Sequence, residues 1–178
     1  MIRTFCLLFL AAIVAAAVPG AAFAQEGSTW HRIQNPEGSF SVEMPCTEND
    51  VQAQEDGGSI GMACWLDNIV IGAVLTTDGV GAGGPDAASD FEGMLAEARD
   101  DPESARVEML PSAGPRMFRV WKDTAGPFGI AQFIELRAGE IIVLAVMEDP
   151  EGLATDIDFA ATEQLALRYF DSLQALTQ

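Results

Sequence analysis

The chain has 178 residues, enough for one domain with a real hydrophobic core. Hydrophobic residues make up 49% and charged residues 20%, the mix of a folded globular protein. There are 9 Lys+Arg against 27 Asp+Glu, a formal net charge of -18 and a pI near 4.1, which argues against nucleic acid and anionic membrane surfaces as partners, since both need a basic footprint.

Residues 1–24 read as a secretory signal peptide. Arg3 supplies the positive start, residues 5–18 are apolar, and Pro19-Gly20 break the helix. Ala22-Phe23-Ala24 offers the small residues that a signal peptidase requires, so cleavage is expected before Gln25. The apolar stretch is short for a bilayer of ~30 Å. The expectation is a periplasmic protein, residues 25–178, folded as a single α+β domain. Cys6 leaves with the signal. Cys46 and Cys64 remain, and an even pair in an oxidising compartment reads as one disulfide. Their spacing is too long for a CxxC redox motif, and no histidine lies near them for zinc.

The retained chain opens with strands. Residues 30–33 are apolar at alternate positions, and Asn35-Pro36-Glu37-Gly38 is a turn signal. Phe40, Val42 and Met44 alternate with Ser41 and Glu43, predicting a half-buried strand stopped by Pro45. Strands follow at 51–54, at 60–64 and at 69–75, the last apolar and β-branched like a central strand. A glycine-rich loop at 79–84 leads into a helix expected to open at Pro85-Asp86. Phe91, Leu95 and Ala98 share its apolar face, with Met94 beside them, and Asp100-Asp101-Pro102 ends it. Four more strands are predicted at 107–110, 117–121, 128–136 and 141–147, the last two joined as a hairpin through Ala138-Gly139. A final helix over 158–173 carries Phe159, Ala166, Tyr169, Phe170 and Leu173 as its apolar stripe. Hairpin-length connections dominate, so the sheet is expected to be mainly antiparallel, with two principal helices packed on it.

Motifs that resemble chemistry are weak here. Gly79-Val80-Gly81-Ala82-Gly83-Gly84 fits GxGxxG, yet Asp86 and Asp90 put negative charge at the following helix start and no βαβ repeat surrounds it. A connecting loop is the better reading, and no cofactor is expected. Gly57-Gly58-Ser59-Ile60-Gly61 fits GxSxG, but Ser59 enters a strand where a nucleophile elbow needs a helix. The single histidine, His31, precedes that serine, which is the wrong order for a hydrolase, and reads as a surface residue on an edge strand. Carboxylates cluster at Glu48-Asn49-Asp50, Asp100-Asp101-Glu103, Glu148-Asp149-Glu151 and Asp156-Asp158, none with calcium-loop spacing. Trp30, Trp65, Trp121, Phe40, Phe118, Phe128 and Phe133 read as core. No catalytic or metal-ligating residue is expected.

The segment from Trp30 to Pro45 (Trp, a Pro-Gly turn, then Phe40-Ser41-Val42-Glu43-Met44-Pro45) resembles the opening of small exported bacterial proteins with a PsbP-like fold. That fold is named for an extrinsic subunit of photosystem II. Leu167-Arg168-Tyr169-Phe170-Asp171-Ser172-Leu173 is similar to their closing helix. Cys46 departs from the small residue usual at its position, which suggests a locally added disulfide. The resemblance implies an antiparallel sheet flanked by helices. It also implies a non-catalytic accessory or assembly role, with another envelope protein as partner and no catalytic residues to carry over. The alternative expectation is a periplasmic binder of a small ligand or a divalent cation, using a sheet–helix pocket or the acidic loops.

Overall fold

The computed structural model describes residues 29–56, 59–66, 68–77, 90–122, 128–137, 139–149 and 158–176. Strands β1 (His31–Gln34) and β2 (Phe40–Met44) pair antiparallel across the predicted Pro-Gly turn. Asn35, 3% exposed, closes that turn. Its Oδ1 accepts from the Phe40 N–H at 2.9 Å and its Nδ2 donates to Ser39 Oγ at 3.0 Å. Gly38 has φ 71°, a region L side chains rarely adopt, and a Cβ there would lie 2.7 Å from Gln34 Nε2.

A 3-10 turn at Glu48–Asp50 leads into the meander β3 (Gln52–Asp56), β4 (Ser59–Leu66) and β5 (Ile69–Thr77). Helix α1 (Phe91–Asp100) precedes a second meander: β6 (Arg106–Leu110), β7 (Arg116–Lys122), β8 (Gly129–Arg137) and β9 (Glu140–Glu148). Helix α2 (Phe159–Asp171) and the short β10 (Gln174–Ala175) follow. The two meanders join where β5 and β9 pair antiparallel, from Ile69 opposite Glu148 to Thr77 opposite Glu140. The result is a seven-stranded sheet in the order β3-β4-β5-β9-β8-β7-β6. β1, β2 and β10 make a separate three-stranded sheet, with β2 in the middle.

Side-chain alternation sorts the large sheet into two faces. One face carries Met62, Cys64, Ile71, Ala73, Ile130, Ile134, Ile142, Leu144 and Val146. These pack with Phe40, Val42 and Met44 of the small sheet and with Ala166, Tyr169 and Phe170 of α2. The opposite face carries Phe118, Val120 and Ile141, which receive Phe91, Leu95 and Ala98 of α1. β9 and β5 are largely buried on both faces, which is why they are long apolar runs rather than alternating strands.

Among the described residues the fold is α+β and mainly antiparallel with two helices, as the residue pattern implies. Four details differ from expectation. The sheet is two sheets, because two-residue β10 captures β2 (Gln174 opposite Ser41, Ala175 opposite Phe40) and is too short to leave a periodic trace. β2 is buried on both sides, with Ser41 only 4% exposed, instead of half-buried. α1 is capped at Asp90, whose carboxylate accepts from the Gly93 N–H at 2.7 Å, so it begins after the expected Pro85-Asp86 start, which lies outside the described residues. Phe159 does not join the buried stripe of α2. It is 55% exposed and touches Phe128 edge-on, with ring centroids 5.0 Å apart.

Among the described residues Tyr169 is the largest fully buried side chain, and its hydroxyl has no hydrogen-bond partner there. Burial raises its pKa well above the usual tyrosine value. A buried hydroxyl without a partner costs about 1–3 kcal/mol. Tyr169→Phe is therefore expected to leave stability unchanged or raise it, by up to about 1 kcal/mol in urea denaturation. A clear loss would show that the hydroxyl has a partner in solution, such as a buried water.

Candidate functional site

Cys46 and Cys64 form the expected disulfide, with Cα atoms 6.5 Å apart. Cys46 lies just after β2 and Cys64 lies on β4, so the bond fastens the small sheet to the large one. The acidic 3-10 turn and β3 occupy the chain between them.

Only part of the motifs that resemble chemistry lies among the described residues. The GxGxxG stretch at 79–84 and Gly57-Gly58 of the GxSxG stretch lie outside the described residues. Ser59 is the first residue of β4, as the sequence implies, and is 1% exposed. His31 begins β1, an edge strand of the small sheet, opposite Met44. Among the described residues, no group of three or more His, Cys, Asp or Glu is placed to hold a metal ion. No described helix is long and apolar enough to cross a membrane. The expected signal peptide also lies outside the described residues.

What the fold does assemble is a charge gradient across the large sheet. No Lys, Arg or His occurs from residue 33 to residue 98, a span that includes β3, β4 and β5. At that end, Glu48, Asp50 and Glu55 are exposed beside the outermost strand, β3. Asp50 is also structural: its Oδ2 accepts from Thr47 Oγ1 at 2.6 Å and from the Thr47 N–H at 3.3 Å.

The cations gather at the other end. Arg106, Arg116, Arg119, Lys122 and Arg137 all lie on β6, β7 and β8. Arg106 stands opposite Trp121 in register, and its guanidinium lies 3.4 Å from the ring centroid. Trp121 Nε1 donates to Glu163 of α2 at 2.9 Å, and Arg106 pairs with the same carboxylate at 3.6 Å. Arg119 donates from Nε to Gln132 Oε1 at 3.1 Å and faces the Phe170 ring at 5.3 Å. Burial pulls the Arg119 pKa down, while Asp171 and Glu108 oppose that pull. These contacts join β6, β7 and β8 to α2.

No protein-family model matches the chain, and no curated protein matches it in sequence.

Most basic side chains at the β6–β8 end are already engaged. Arg116 pairs with Glu92 and Glu135 at 2.7 Å each, Lys122 with Asp101 at 2.8 Å, and Arg137 with Glu140. The acidic groups at the β3 end have no cation near them in sequence to play that part. Sequence reasoning noted the net charge but missed its distribution along the sheet. The signal was available as the long gap between Arg32 and Arg99.

Asp101 provides a pH-dependent test of the Lys122 contact. Burial raises its pKa, but hydrogen bonds from Lys122 and the Glu103 N–H, with the Lys122 charge, outweigh that and hold it below the usual aspartate value. A lowered folded pKa adds stability above the unfolded value of about 3.9. That stability is lost as the pH falls through the folded value. Asp101→Asn should remove this share at pH 7 and flatten the stability profile below about pH 4. Urea titrations at several pH values would show it; parallel profiles would mean that the contact adds nothing.

Proposed function

We propose that this is an exported, non-catalytic accessory or assembly protein of the bacterial cell envelope, with a PsbP-like fold, that binds a basic surface of another protein. The observation that carries the reading is the cation-free end of the sheet. Exposed Glu48 and Glu55 flank the outer strand there, and the Cys46–Cys64 bond spans this acidic segment. A one-sign edge on a rigid support steers an oppositely charged partner and raises its association rate. The resemblance at Trp30–Pro45 and Leu167–Leu173, the apolar stretch before Gln25 and the paired cysteines support the envelope setting.

The test is capture from a gently solubilised envelope, with immobilised wild type beside E48K/E55K. Asp50 is left alone because it supports the 3-10 turn. A partner held by wild type, released by salt of about 0.5 M and absent from E48K/E55K is the expected result. Equal capture by both proteins, or no partner in repeated trials, would overturn the reading.

A further inference from the structure

We infer that β6 is a self-association edge, through which two copies of the chain join their large sheets antiparallel about a two-fold axis at Val107. This goes beyond the acidic edge at β3, which lies at the far end of the same sheet. Among the described residues, β6 has β7 on one side and no strand on the other. An open edge presents unpaired backbone N–H and C=O groups.

The charges on β6 select the partner. Arg106 and Glu108 are exposed and project from one face, while Val107 and Met109 project from the other. Met109 is 43% exposed. Two-fold pairing with the axis perpendicular to the sheet sets opposite each other residues that share a face. That allows registers centred on Arg106, Val107 or Glu108 within the charged part of the strand. Centring on Arg106 opposes two arginines, and centring on Glu108 opposes two glutamates. Centring on Val107 sets Arg106 of each copy against Glu108 of the other, twice. Opposite charges directly across a strand pair are favourable, and like charges are not.

In the monomer Arg106 leans toward β7, over Trp121 and near Glu163, and Glu108 stands opposite Arg119, so pairing across the edge requires the Arg106 guanidinium to swing outward. Among the described residues Glu108 makes no salt bridge, and the Arg106 side chain keeps 55% of its surface exposed while stacked on Trp121. The same register sets Val107 against Val107 and Met109 against Ala105, so the second face of the junction is small and apolar.

Sedimentation equilibrium on the oxidised protein without its signal reads the result. Wild type is expected to show a concentration-dependent dimer. E108R sets Arg106 against an arginine and should raise the dissociation constant about tenfold or more. R106E should do the same with glutamates. An equimolar mixture of E108R and R106E restores both opposite-charge pairs and should recover the dimer as a heterodimer. Circular dichroism on each variant separates lost association from lost folding. A wild type that stays monomeric at about 1 mM would overturn the inference. A dimer indifferent to E108R would overturn it too, by placing the contact elsewhere.

Discussion

Phe118→Ala is expected to destabilise the protein by about 3–5 kcal/mol, the largest effect of any single truncation considered. Phe118 is fully buried on β7 at the centre of the α1 interface. Its ring stacks on Phe133 with centroids 4.4 Å apart and planes 5° apart. The edge of Phe91, the first residue of α1, meets it at 5.1 Å and 77°. Each such aromatic pair contributes about 0.5–1.5 kcal/mol beyond its buried area. α1 buries three side chains against the sheet, Phe91, Leu95 and Ala98, and Phe91 is the largest of them. Truncation therefore removes area, two ring contacts and the floor under the helix start. Domains have about 5–15 kcal/mol in all, so this loss approaches the threshold for folding. Urea denaturation gives the total. Hydrogen exchange should show α1 opening before the central strands β5 and β9. Phe118→Leu retains most of the apolar volume and should cost less. A loss below about 1 kcal/mol for alanine would mean that the layer closes over the gap.

Much of this architecture is legible in the residues because each strand reports its surroundings. Ile69–Leu75 is apolar at successive positions, which only a strand covered on both faces requires. Phe91, Leu95 and Ala98 fall on one side of a helix because that side alone meets the sheet. The pairing of β5 with β9 is different. It joins strands far apart in the chain, and no local pattern encodes which edges meet. β10 is two residues long, shorter than any period that could reveal it. Phe159 misled for a related reason. It lies at helical spacing from the apolar stripe, but it is the first residue of α2, where the helix has only begun to cover the sheet.

The disulfide and the proposed interaction surfaces were legible only in part. Cys46 and Cys64 could be paired from their number and the expected oxidising compartment. The charge gradient needed the strand order, because Arg106, Arg116, Arg119 and Lys122 gather at one edge only after β9 has returned to β5. The Arg106–Glu108 pattern acquires meaning in the same way. On an inner strand its neighbours would be fixed, whereas on an outer strand it sets the register in which the edge meets a copy of itself.

Loss of the Cys46–Cys64 bond is expected to cost about 3 kcal/mol on the chain-entropy model, from a sequence separation of 18. For a domain of this size that corresponds to a Tm lower by about 6–12 °C. The bond acts on the unfolded chain, where it shortens the loop that contains the 3-10 turn and β3. It also acts on the packing, because Cys64 is fully buried and Cys46 is 6% exposed. Both effects predict that reductant acts slowly on the native protein, since the sulfurs are reached only after opening. Cys46→Ala with Cys64→Ala avoids burying hydroxyls without partners and is the better variant for measuring the loss. The reduced wild type separates the two contributions, since it lacks the cross-link but retains both sulfur atoms. If reduction and double substitution lower Tm equally, the cross-link accounts for the effect. If only the substitution does, packing accounts for it. The small sheet should loosen first in either variant, because β1, β2 and β10 are bonded to one another and meet the large sheet through side chains and this bond. Hydrogen exchange at β2 that rises ahead of β5 after reduction would show that the disulfide fastens one sheet to the other. Unchanged exchange at β2 would mean that Phe40, Val42 and Met44 hold the layer by burial alone.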